Sequence, residues 1–335
     1  MIKNLVRCGL LAMALLPTKV LADPIKLKLS VVTSDRALIY LAGVKPFVDE
    51  VNAEAKGLLE IEVHFSGELG KEPAQQAQMV ADGVADLAFI FPGYSPERFS
   101  DDTVIGLPGL FQDAREASTA YTRLIAAGAL KGYEDFYVIG AYTSPLENIH
   151  SRLPIASIDD LKGMRIRVSN ATEVDALQRL GVRPVTMPAT VTSEAISNGT
   201  IDAAVLPPAM LFEFGAGRVA SHHYLLNISV ASLALVMNRK KFDSLPEAAQ
   251  DIIRKHSGEW PLASFLQSFD AVSSQAMEQL TSNSHRKIVY PSQTDLDTAK
   301  AAFKAFVDEW VARSPHNQMQ LEIVQTEIAK LRASQ

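Results

Sequence analysis

Short apolar runs of strand length alternate along this chain with stretches whose apolar residues recur at helical spacing, the pattern of α/β architecture. The first strand is expected over 27–32, and 59–65 (Leu-Glu-Ile-Glu-Val-His-Phe) alternates as a half-exposed strand should. Further strands are expected over 85–91, 136–142, 165–168, 201–206 and 233–238. Leu38, Leu41, Val44, Val48 and Val51 fall at helical spacing, with Pro46 positioned to kink such a helix. Segments 73–83 and 170–181 also read as helices, the second stopping at Gly181.

After Asn238 the pattern predicts helix alone. Ser244-Leu-Pro-Glu247 has the form of a capping box with Pro in the first turn, and the helical stretch behind it breaks near Trp260-Pro261. Helices over about 295–313 and 321–332 finish the chain. The expected fold is α/β, with two lobes braced by helices and a ligand held between them.

The N-terminus changes this picture. Lys3 and Arg7 precede an apolar run from Cys8 to Leu16, and Val20-Leu21-Ala22 supplies a small-residue exit, so 1–22 reads as a signal peptide cleaved after Ala22. The run is far shorter than the roughly 20 residues that span a bilayer. Export to the periplasm follows, and with the leader goes the one cysteine of the chain. Losing Lys3, Arg7 and Lys19 lowers the 32 Lys and Arg to 29 against 38 Asp and Glu, a formal net charge of −9 in place of −6. Such a surface disfavours nucleic acid as a partner.

Enzyme motifs are missing: no GxSxG, GxGxxG, GxxxxGK or HExxH occurs. His222 and His223 are adjacent, point apart on helix or strand, and have no third ligand near in sequence, so a structural role is expected and no metal site. The most informative segment is Asp160-Leu-Lys-Gly-Met-Arg-Ile-Arg-Val-Ser-Asn170. Strand alternation sets Arg165 and Arg167 on one face, and Asn170 with Glu173 can cap the next helix. A helix N-terminus and an arginine fork together can grip a carboxylate, although an arginine on a strand is also commonly solvated or paired with an acid.

This segment resembles the DLKGLKIRVP signature of the extracytoplasmic binding subunits of TRAP (tripartite, ATP-independent) transporters. Gly67-Glu-Leu-Gly70 is similar to that family's GQLG turn, and Asp82-Gly-Val-Ala-Asp-Leu-Ala-Phe89 to its DGAVDIAF. Leu107-Pro-Gly-Leu-Phe111 resembles LPFLF, Asn198-Gly-Thr-Ile-Asp202 resembles GVVDG, and Leu245-Pro-Glu-Ala-Ala-Gln250 resembles LPPEVQ, so the likeness runs through the mature chain. The resemblance implies a two-lobed periplasmic binding protein fold with crossing strands and a long bracing helix, closing on its ligand like a hinge. It implies one lobe from 23–145 with 233–272 and another from 146–232 with 273–335. It also implies no catalysis and no cofactor, with the transporter's small and large membrane subunits as partners and the membrane met only through them.

By the same resemblance Arg167 is the carboxylate-binding arginine. Glu147 stands where many members carry a second arginine, Leu206 precedes Pro207 where many have asparagine, and Phe91, with Tyr94 close behind, replaces a polar residue. Glu72 and Asn170 complete the candidate ligand-binding set. These departures make the pocket less basic and more apolar. They favour a monocarboxylate or neutral solute, or an ammonium-bearing solute such as an amino alcohol or zwitterion paired with Glu147 and the faces of Phe91 or Tyr94, over a dicarboxylate. Two other classes stay open: an exported enzyme acting on small organic acids, and the ligand-sensing subunit of a membrane sensor.

Overall fold

The computed structural model describes residues 23–334, so the expected signal peptide and its cleavage point after Ala22 lie outside the described residues. Among the described residues there are eleven strands: β1 (Ile25–Ser30), β2 (Leu59–His64), β3 (Leu87–Ile90), β4 (Phe136–Thr143), β5 (Asn148–Ser151), β6 (Arg165–Val168), β7 (Arg183–Thr186), β8 (Ala203–Leu206), β9 (His222–Tyr224), β10 (Ser232–Asn238) and β11 (Lys287–Val289). They form a five-stranded sheet in the order β2-β1-β3-β10-β4 and a six-stranded sheet in the order β11-β9-β5-β8-β6-β7. Each sheet is the centre of one lobe of an α/β fold. The unbroken apolar runs of β3 and β8 are buried along their whole length, as expected of strands covered on both faces. In β2, Leu59 and Ile61 face inward and Glu60 outward, following the alternation of the sequence.

The chain passes between the sheets through 144–147, from β4 to β5, and through 225–231, from β9 to β10. These two crossings run side by side. Ser144 N–H donates to Ala231 O at 2.9 Å, Glu147 N–H to Ser229 O at 2.9 Å and Ile228 N–H to Glu147 O at 2.9 Å. Because the chain enters and returns along them, β5 and β10 lie antiparallel to both of their neighbours while the remaining pairs are parallel. The helix Glu259–Ser282, 24 residues and about 36 Å long, braces both lobes. Its Phe265 and Phe269 enter the core beneath the first sheet, and Leu280 packs with Ile201 and Leu206 of the second lobe.

Several expectations are corrected. β11 breaks the all-helical pattern expected after Asn238; a three-residue edge strand beside β9 is too short to show a period. The kinked helix is two helices, Leu38–Gly43 and Lys45–Glu54, with Pro46 in the first turn of the second, where its missing N–H is not needed. No capping box forms at Ser244, whose hydroxyl donates back to Lys241 O at 2.7 Å, and Pro246 occupies the cap position. The next break falls at Gly258, so Trp260 and Pro261 open the long helix instead of interrupting it.

Of the C-terminal helices, Gln293–Ala312 packs on the helix Ala171–Gln178 of the second lobe. The last helix, Pro315–Ala333, instead packs on the helix Ala114–Ala126 and the 3-10 turn Ser100–Val104 of the first lobe. Buried Gln320 donates to Asp101 at 3.1 Å, and Arg332 reaches buried Glu116 at 2.6 Å. The expected grouping of both C-terminal helices with the second lobe therefore differs from the packing.

Candidate ligand-binding site

A cavity of about 120 Å³ lies where the crossings, the two sheets and the long helix meet. Ile39, Phe91, Leu206, Met210, Phe214 and Phe269 give it a mostly apolar wall, and Arg167 is the one basic side chain lining it among the described residues. Arg167 sits on β6 between Val185 and Ala204 of the neighbouring strands, and the small Ala204 leaves room for a guanidinium. It is 2 % exposed. Nε donates to Met187 O at 2.9 Å, Nη1 to Val205 O at 3.0 Å and Nη2 to the Tyr94 hydroxyl at 3.1 Å. A guanidinium has five N–H donors, so one on each Nη is left over, the pair that meets a carboxylate side by side. Among the described residues no acid lies within ion-pair distance of Arg167. Its strand neighbour Arg165 differs: Asp202 holds it with bonds of 3.1 and 2.9 Å and also takes Arg152 at 2.6 Å.

Glu147 reaches the cavity wall from the first crossing and is buried. Burial pushes its carboxyl well above the usual range, the neighbouring Glu173 carboxylate pushes it further, and Arg167 opposes this only in part. Glu173 is already engaged, accepting from Ser169 N–H at 2.7 Å, Ser169 Oγ at 2.8 Å and Asn170 Nδ2 at 2.8 Å. Glu147 Oε2 has no hydrogen-bond partner among the described residues. Asn170 is the N-cap of the helix Ala171–Gln178, its Oδ1 accepting from Glu173 N–H at 2.9 Å, as the sequence predicts.

Tyr94 and Phe91 belong to the first lobe and face the cavity with ring centroids 5.9 Å apart. Burial pushes the Tyr94 phenol up, so it is neutral and bridges the lobes through Arg167. Gly93 lets the lobes meet: a Cβ there would stand 3.3 Å from the Cβ of Asn170. A second bridge joins Glu213 to the backbone N–H of Leu38 at 3.1 Å.

Asp102 also lines the cavity, from the 3-10 turn of the first lobe, and no sequence motif marked it. Its Oδ2 accepts from the hydroxyls of Tyr121 at 2.7 Å and Tyr133 at 2.8 Å, and the Ser232 hydroxyl stands beside the same carboxyl. Burial raises this carboxyl to about 6 against hydrogen bonds from Tyr121, Tyr133 and Ser232 that lower it. The one hint in the sequence is a pair of acids, Asp101-Asp102, inside an otherwise apolar stretch.

Residues 29–314 match the family model described as bacterial extracellular solute-binding protein, family 7. The chain belongs to this family. The receptor is 23% identical over 249 residues to the C4-dicarboxylate-binding periplasmic protein of Rhodobacter capsulatus, an alignment covering 71% of this chain and 72% of that one. Its fold matches a marine metagenome TRAP solute-binding protein specific for aromatic acid ligands, solved with metahydroxyphenylacetate (TM-score 0.83, 25% identity, 91% of this chain and 99% of that one). It also matches a TRAP solute-binding protein of Rhodoferax ferrireducens with copurified benzoate (TM-score 0.80, 25% identity, 91% and 98% covered).

Of the receptor's sequence-derived candidates, Arg167, Glu147, Phe91, Tyr94, Leu206 and Asn170 converge on the cavity. Glu72 does not. It is exposed, and Gln76 is the side chain that this segment turns inward, with Nε2 on Gly70 O at 2.8 Å and Oε1 accepting from Ser30 Oγ at 2.7 Å. Directly behind Leu206 runs a buried chain. Arg286 can only donate, so His223 Nε2 accepts from it at 3.3 Å, His223 Nδ1–H donates to His150 Nδ1 at 2.8 Å, and His150 Nε2–H donates to Leu206 O at 3.1 Å. Burial lowers His150 to about 4 and His223 to about 3, which keeps both rings neutral. His222 points the other way on β9.

Proposed function

We propose that the receptor captures a small monocarboxylate with an apolar or aromatic body, encloses it by closure of the two lobes, and presents it in the periplasm to the small and large membrane subunits of a TRAP transporter. The observation that carries this reading is the buried guanidinium of Arg167, which has two free N–H groups and only neutral oxygens for partners. A buried charge is stable only when compensated, and the ligand is the natural source of the missing anion. The upward push on the Glu147 carboxyl supports the same reading, since its neutral form neither repels a carboxylate nor supplies the fixed charge that an ammonium needs. The cavity is of the order of the roughly 150 Å³ engineered cavity that takes benzene, and a single arginine in an apolar wall leaves a second carboxylate unpaired. The 25%-identical neighbours bind benzoate and a hydroxyphenylacetate. Nothing in this reading calls for a catalytic group, cofactor or metal.

The test is mass spectrometry of small molecules released from the denatured protein, followed by calorimetry with benzoate, phenylacetate, succinate and ethanolamine. Monocarboxylates should bind in a one-to-one ratio without turnover. Binding of ethanolamine alone, or of succinate more tightly than any monocarboxylate, would overturn the proposal.

A further inference from the structure

We propose that Thr172 binds the solute directly, its hydroxyl donating to the carboxylate that Arg167 grips, with the leading N–H groups of the same helix aimed at that charge. The inference rests on the monocarboxylate reading of the cavity and names a second side chain for its polar end. Thr172 is 6 % exposed and lines the cavity. The hydroxyls of Thr33 and Thr192 are fully enclosed without a partner; that of Thr172 has no partner among the described residues either, but keeps open surface. It looks across the cavity toward the first lobe. A Cβ on Gly106, which lies on the same wall, would stand 3.6 Å from Thr172 Oγ1, so glycine there leaves the space in front of the hydroxyl clear.

Threonine within a helix commonly turns its hydroxyl back onto a carbonyl of the preceding turn. Thr298 and Thr326 do so, at 2.8 and 2.7 Å. Thr172 is the second residue of the helix Ala171–Gln178 and has no helical turn behind it. Asn170 Oδ1 takes the N–H of Glu173, and the N–H groups of Ala171 and Thr172 have no acceptor among the described residues. They carry the positive end of the helix, and both residues line the cavity. One hydroxyl, two amides and the two free guanidinium N–H groups therefore all belong to the stretch 167–172 of the second lobe. A carboxylate, with about four acceptor sites, can use such a set, whereas an ammonium would meet only donors. The charge is thus held by one lobe, and the first lobe closes over the apolar body with Ile39, Phe91 and Phe269.

The experiment measures affinities of the full receptor for benzoate and phenylacetate in wild type, Thr172→Val and Thr172→Ser. Valine keeps the branched shape and removes the hydroxyl; serine keeps the hydroxyl and removes the methyl. Thr172→Val should weaken each carboxylate that binds the wild type by about tenfold or more, while Thr172→Ser stays within about threefold. Thr172→Ala against Thr172→Ser repeats the comparison without the branched side chain, so the test does not depend on the valine variant folding. Wild-type affinity in Thr172→Val, a loss in Thr172→Ser as large as in Thr172→Val, or alanine and serine variants within about threefold of each other would overturn the role of the hydroxyl and leave the Arg167 reading standing. Failure of both acids to bind the wild type would instead count against the underlying reading.

Discussion

Replacing Arg167 with Met keeps most of the side-chain length and removes the charge, which separates its part in ligand binding from its part in the fold. In the ligand-free protein, three hydrogen bonds to Met187 O, Val205 O and Tyr94 Oη are lost. At about 1.5–3 kcal/mol for each bond from a charged donor, that is about 4–9 kcal/mol. Against it stands relief from burying a guanidinium that lacks an ion-pair partner, itself several kcal/mol, together with the gain from a thioether in an apolar wall. The opposing effects nearly cancel. Unfolding by urea should show a stability change under about 2 kcal/mol, whereas a bound carboxylate loses its only cation and about 2–5 kcal/mol. Calorimetry should therefore record affinity about 30- to 5000-fold weaker for every carboxylate that binds the wild type. A variant with wild-type affinity, or one destabilised by more than about 4 kcal/mol with binding intact, would make Arg167 a structural residue and refute the reasoning.

Two further outcomes concern protons. Glu147 is a carboxyl raised by burial, so its neutral form is lost as pH rises through its folded value and a negative charge then stands beside the bound anion. Carboxylate affinity measured by titration should fall on the alkaline side in wild type and stay flat in Glu147→Gln, the two profiles converging toward the acid end; parallel profiles would contradict the assignment. His150 and His223 lie below their unfolded value of about 6.5, so between about pH 4 and 6.5 the unfolded chain binds more protons and stability falls as pH falls. Each ring contributes up to about 1.4 kcal/mol per pH unit, while Asp102 and Glu147, raised in the fold, act with the opposite sign in the same window. Urea midpoints between pH 4 and 6.5 should show a slope shallower by that amount in His223→Gln, and an unchanged slope would remove the neutral imidazole pair from the account.

The parts of the site that lie close together in sequence were legible. Arg167 and Asn170 sit on one strand and the cap that follows it, where alternation and the Asn170–Glu173 spacing are local patterns that a single stretch of sequence displays. Glu147 could be placed at the pocket, but the upward push on its carboxyl could not be foreseen, because Glu173, which contributes to it, arrives from another element. Asp102 escaped altogether, since Tyr121, Tyr133 and Ser232 approach it from three separate segments. Glu72 was misplaced because a turn decides which neighbour faces inward, and Gln76 is the one it buries. In the fold, the apolar runs of β3, β8 and β10 showed themselves by pattern, whereas β5, β7, β9 and β11 are three or four residues each, carry polar residues such as Asn148, Arg183, His222 and Lys287, and owe their conformation to pairing partners. The helix Ala114–Ala126 carries a local signal of its own, with Asp113 as cap and Ala117, Ala120, Tyr121 and Leu124 along one face.

The return of the last helix to the first lobe bears on how the receptor matures. Asp101 receives Gln320 and Glu116 receives Arg332, beside the backbone N–H of Lys131 and of Gln112 that the first lobe supplies itself, so these two buried acids gain the rest of their donors only when the final stretch of chain is in place. A polypeptide made from N- to C-terminus must carry its first lobe unfinished through the whole of synthesis, with the apolar faces that Val324, Ile328 and Leu331 will cover left open. Completion of the oldest part of the chain thus waits on the youngest.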